Sequence, residues 1–69
     1  MTIELINKTN YANIYCLYDK SGKPIGTKEE RLAGSDTRTH YYSLTSKTRN
    51  EVKALFRQAA PITEAAAAR

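Results

Sequence analysis

Reactive chemistry in this chain would have to come from Cys16, His40 and the adjacent carboxylates Glu29 and Glu30. A nucleophilic cysteine needs a base within hydrogen-bond reach and a third group to orient that base. His40 is the only histidine, and nothing in the local sequence ties it to Cys16. Zinc normally takes three or four protein ligands, more than one cysteine and one histidine supply. Glu29 and Glu30, if on a strand, point to opposite faces and make no acid/base pair. The three scattered glycines form no phosphate-cradling loop. The expectation is a non-enzymatic protein without metal or cofactor.

What remains is contact chemistry. Five tyrosines stand beside one phenylalanine and no tryptophan. Tyrosine offers large amphipathic area at low rotamer cost and is enriched at interfaces. It also suits a half-buried strand with its hydroxyl in water. A second constellation is the basic stripe Arg49, Lys53, Arg57, spaced i, i+4, i+8, with Lys47 at its start. Such a row can track a phosphate backbone or form the wet flank of an amphipathic helix.

The elements that would position these groups fall in a clear order. Residues 12–18, ANIYCLY, are almost all β-branched, aromatic or aliphatic and read as the central strand. Asp19-Lys20-Ser21-Gly22 supplies the turn after it: Asp19 can bind the backbone ahead and Gly22 tolerates positive φ. Residues 2–7 read as a first strand, with Lys8-Thr9-Asn10 as a break. Residues 25–32, entered through Pro24, read as a charged return strand, with a turn of helix as the other reading. Residues 33–36 give the next turn and residues 37–44 a further strand. A helix is expected over residues 46–60, capped by Thr45 or Ser46, with a Thr48/Glu51 capping-box spacing one turn later. Val52, Leu55, Phe56 and Ala59 form its apolar stripe, and Pro61 marks its end.

These elements define an α+β fold: a small antiparallel sheet of three to four strands with one C-terminal helix on one face. The domain spans residues 1–61, and the Ala-rich tail 62–69 is expected as frayed helix or a disordered end. On the central strand, Ala12, Ile14, Cys16 and Tyr18 share one face and Asn13, Tyr15 and Leu17 the other. The helix stripe is expected over Ile14 and Cys16, with Ile3 or Leu5 and with either Tyr42 and Leu44 or Tyr41. Tyr15 and Leu17, with a later tyrosine, are then left on the uncovered face.

At 69 residues the chain is one domain burying only about 60% of its unfolded surface. Its net charge of +4 permits a phosphate-bearing partner without requiring one. A lone cysteine excludes an internal disulfide and suits an intracellular setting. The first residues carry no signal-peptide pattern, and no run is long enough to span a bilayer. The expectation is a cytoplasmic protein of a host bacterial cell, not bound to membrane, as monomer or homodimer.

The order of a strand, Asn10-Tyr11-Ala12-Asn13-Ile14, a Tyr18-Asp19 turn with Gly22, a charged return strand, an aromatic strand and a capped helix bearing Phe56 resembles the small phage-encoded type I-F anti-CRISPR proteins. The resemblance covers roughly residues 1–61. It implies a protein that docks on the backbone subunit of the CRISPR surveillance complex and hinders target-DNA pairing. It also implies contact roles for a tyrosine before the hairpin, at Tyr18, and a glutamate on the return strand, at Glu30. The family's further first-strand tyrosine falls near Ile3, where this chain has none. The expected partner-binding set is Tyr11, Tyr15, Tyr18, Glu30 and Tyr41, on a host protein complex.

Two alternatives stand beside it. A sheet followed by a helix is similar to the arm-binding domain of phage integrases, where the sheet enters the major groove of DNA. On that nucleic-acid reading Lys47, Arg49, Lys53 and Arg57 carry the contacts. The third reading is an accessory subunit that dimerises by burying Tyr15 and Leu17 against a copy of itself.

Overall fold

Residues 1–59 are described by the structure, a computed structural model. Four strands, β1 (Thr2–Lys8), β2 (Ala12–Tyr18), β3 (Pro24–Arg31) and β4 (Thr39–Ser43), pair antiparallel in sequence order. The helix α1 (Arg49–Gln58) follows and packs against the sheet, giving the expected open-sheet α+β fold. The expected tail at 62–69 lies outside the described residues.

Short side-chain bonds close each reversal. Thr9 Oγ1 accepts from the backbone N–H groups of Tyr11 and Ala12, each at 3.1 Å, which turns β1 into β2. Asp19 Oδ1 accepts from the N–H groups of Ser21 and Lys23 at 2.9 Å and from Ser21 Oγ at 2.7 Å. Gly22 sits at φ +86° in that turn, where a Cβ would be strained. Thr48 is the helix cap: its Oγ1 accepts from Glu51 N and Glu51 Oε1 accepts from Thr48 N, both at 3.1 Å. The helix therefore starts at Arg49 rather than 46, because the reciprocal capping box outcompetes a lone hydroxyl at Thr45 or Ser46.

Register decides which side chains meet the helix. Ile3 pairs with Leu17 and Leu5 with Tyr15 across β1 and β2, while Gly26 and Lys28 of β3 lie opposite Leu17 and Tyr15. Val52 and Phe56 descend on this face and form the core with Ile3, Tyr15, Leu17 and Ile25. Leu5, Tyr41, Leu55 and Ala59 pack around it. Leu17 and Val52 are fully buried, each burial being worth roughly 1.5–3 kcal/mol.

The expected faces are thus reversed. Tyr15 and Leu17 lie under the helix, while Ile14 and Cys16 lie on the face opposite. The tyrosine hydroxyl does not bar burial, because the ring supplies apolar area alongside Phe56 and Leu17. Burial of Tyr15 and Leu17 also removes the side chains on which the dimerising reading rested.

One glycine makes the helix contact possible. A Cβ on Gly26 would stand 2.7 Å from both Tyr42 O and Val52 Cγ1. Gly26→Ala is expected to destabilise the fold by about 1–3 kcal/mol through overpacking. In urea melts, combining it with Val52→Ala should cost less than the two single changes added together, because the second removes the colliding methyls.

Candidate functional site

The face opposite the helix carries Asn7, Ile14, Glu29 and His40 in one cross-strand row and Glu4, Cys16, Thr27 and Tyr42 in the next. Tyr18 lies beside them at the end of β2, opposite Thr2. None of the described elements packs on this face. Cys16 is nevertheless buried, at 3% exposure. Its Sγ–H donates to the Leu17 carbonyl at 3.8 Å, and the neighbouring Cys16, then burial and the Glu4 carboxylate, raise the Tyr18 phenol above its ordinary value.

One corner is organised by Asp36. Its Oδ1 accepts from Arg38 Nε at 3.1 Å and from Arg38 N at 3.0 Å, and its Oδ2 lies 3.0 Å from His40 Nε2. Arg31 Nη1 stands 3.9 Å from the same carboxylate and Arg31 Nε binds Glu29 Oε1 at 3.1 Å. The Arg38 side chain, then its backbone N–H, then His40, hold the Asp36 carboxyl far below the usual carboxylate range. Among the described residues no three His, Cys, Asp or Glu side chains gather so as to hold a metal ion.

The expected partner-binding residues are not brought together. Tyr11 is 72% exposed at the end of β2, where its carbonyl accepts from Leu32 N. Tyr15 is in the core. Tyr41 tilts against Phe56 at 5.8 Å between ring centroids, on the helix side. Glu30 is also on the helix side, opposite Asn13, whose Nδ2 approaches its Oε1 at 3.4 Å. Of these only Tyr18 stands on the open face, and the return-strand glutamate that shares that face is Glu29. Ile14, Cys16 and Tyr42 were absent from the expected set, although strand alternation places the first two beside Tyr18.

The basic residues sit on the other side. Arg49, Lys53 and Arg57 line an exposed flank of α1, with Lys47 just before it. Lys28 of β3 joins them, its Nζ 4.7 Å from the Tyr15 ring centre and 5.5 Å from that of Phe56. No helix among the described residues is long and apolar enough to cross a membrane.

No protein-family model, curated protein or solved structure matches the chain.

Asp36 yields a pH-dependent prediction. Its folded pKa is depressed, so its stabilising effect is complete above the unfolded value of about 3.9 and is lost as pH falls towards the folded one. Asp36→Asn should lower the melting temperature most at pH 5–7, and the gap from the unsubstituted protein should narrow progressively towards pH 2. Thermal melts followed by circular dichroism across that range check it; a constant gap would show that the charge of Asp36 is not the stabilising element.

Proposed function

We propose that the protein is a non-enzymatic inhibitor of phage or mobile-element origin that docks on a host protein complex through the sheet face opposite its helix. The observation that carries this reading is the combination of Ile14, Tyr18 and the 39%-exposed Tyr42 on a face that no described element covers. An apolar and aromatic centre with a polar rim is the anatomy of a protein interface. Ile14 and Tyr18 would form the centre, with Tyr42, Glu4, Glu29 and His40 around them. The partner is the one implied by the resemblance to type I-F anti-CRISPR proteins, the backbone subunit of the surveillance complex, with target-DNA pairing hindered on docking. Support for that assignment comes from the Asn10-to-Ile14 segment and the order of elements, and from Tyr18 standing on the open face. Glu29 takes the place that the resemblance gives to Glu30, because β3 turns Glu30 to the helix side.

A sheet that enters a DNA groove fits this face less well. Glu4, Glu29 and Asp36 all lie on or beside it, and carboxylates repel phosphate.

The test is titration of a purified type I-F surveillance complex with the protein, followed by measurement of target-DNA binding. DNA binding should fall with added protein. Tyr18→Ala and Tyr42→Ala should each raise the half-inhibitory concentration about 10-fold, equivalent to about 1.4 kcal/mol, with circular dichroism reporting an intact fold. Unimpaired DNA binding at saturating protein would overturn the surveillance-complex assignment.

A further inference from the structure

The charges of this chain are divided between the two sides of the sheet. Every ion pair among the described residues joins Arg31, Arg38 or His40 to Glu29 or Asp36. On the helix side, Lys28, Lys47, Arg49, Lys53 and Arg57 form none with the described residues. The carboxylates on that side are engaged locally: Glu51 in the capping box, where Lys47 also lies near enough to favour its ionised form, and Glu30 with Asn13.

These cations are not loosely arranged. Arg49 Cζ lies 5.6 Å from the Tyr42 ring centre and Lys53 Nζ 5.9 Å from that of Tyr41. Lys28 lies over Tyr15 and Phe56. A ring beneath a cation favours its position through the ring quadrupole while leaving its outward side open. The i, i+4, i+8 row spans about 12 Å at ~1.5 Å rise per residue. Duplex nucleic acid carries one phosphate charge per ~1.7 Å of axis, so this row faces several phosphates at once.

We infer that the outer side of α1, with Lys28, is a second binding surface that takes the phosphate backbone of a nucleic-acid duplex without reading its sequence. Arg49, Lys53, Arg57 and Lys28 make the contacts. No base-reading group is required, since phosphate contacts position a protein without carrying sequence information. Lys28, Lys53 and Arg57 lie on the opposite side from Ile14 and Tyr18, and Arg49 reaches Tyr42 at the β4 edge, so the variants that test this surface are made at Lys53 and Arg57, away from the docking face.

The experiment is fluorescence anisotropy with a labelled 20-base-pair mixed-sequence DNA duplex and an RNA duplex of the same length, from 25 to 300 mM KCl. Four neutralised phosphates predict a log–log salt slope of about −3.6, from −0.9 per phosphate. Affinity should fall roughly 100-fold between 50 and 200 mM KCl on that slope. The double variant Lys53→Glu/Arg57→Glu should weaken binding more than 10-fold at 50 mM KCl and flatten the slope by about 2. The variant Lys20→Glu/Lys23→Glu changes the net charge equally at the distant β2–β3 turn and should have a much smaller effect. Tighter binding of one duplex, or equal binding of both, supports the inference and identifies its source. Absence of binding to both duplexes at 25 mM KCl overturns it. So does equal weakening by the two double variants, or retention on phosphatidylserine vesicles in place of nucleic acid.

Discussion

The seating of Val52 against Gly26 is the constraint on which the architecture turns. Val52 has no exposed surface, and its methyls occupy the space that a side chain at residue 26 would need. A helix can approach the sheet this closely only where one strand offers bare backbone. That contact chooses the face: Gly26 stands opposite Leu17, so Leu17 is covered, and Tyr15 two residues earlier goes beneath Phe56 with it. Everything of parity opposite to Leu17 on β2 is consequently turned outwards. The placement of Ile14, Cys16 and Tyr18 follows from a missing side chain on the neighbouring strand.

Once the helix has taken one side, the chain has no second layer among its described residues. A ten-residue helix is about 15 Å long, comparable with the width of four strands spaced ~4.8 Å apart. It lies chiefly over β4 and β3, reaches Ile3 and Leu17 through the core, and leaves the other side to be kept compatible with water by its own side chains. Glu4, Thr27, Glu29 and His40 interrupt the apolar positions there. The β1 edge is also broken: register shifts between Leu5 and Asn7, placing Ile6 at an irregularity that disrupts a continuous pairing edge. The molecule thus discourages strand-to-strand association while leaving an aromatic face open.

Local chemistry was the legible part of this sequence. The limits of β2, the Asp19 turn and the Thr48/Glu51 box each depend on residues within a few positions of one another, and each formed as those residues require. Strand alternation likewise separated Tyr15 and Leu17 from Ile14 and Cys16. What alternation lacks is a sign: a period of two sorts side chains into two sets without saying which set faces inwards. The deciding facts were non-local, namely Ile3 and Leu5 opposite Leu17 and Tyr15, and Gly26 as the landing place for Val52. Counting back through the three-residue break at Lys8-Thr9-Asn10 would have been misleading, because the irregularity near Ile6 changes parity along β1. Glu29 and Glu30 show the same effect, since adjacency in sequence separates them by the full thickness of the sheet.

The uneven distribution of charge follows from the same geometry. Asp36 and Glu29 beside the open face are tied to Arg31, Arg38 and His40, whereas Glu4 on that face has no ion pair among the described residues. Helix cations instead lie over rings, whose quadrupoles attract them without neutralising them. An ion pair would remove a positive charge from the surface field; a ring leaves it in place and directed outwards. Tyr41 and Phe56 therefore serve both sides of the helix contact: they pack in the sheet–helix junction and also lie beneath Lys53 and Lys28, while Tyr42 lies beneath Arg49 at the β4 edge. Two of the aromatic residues that close the core, Tyr41 and Phe56, also keep its rim positive.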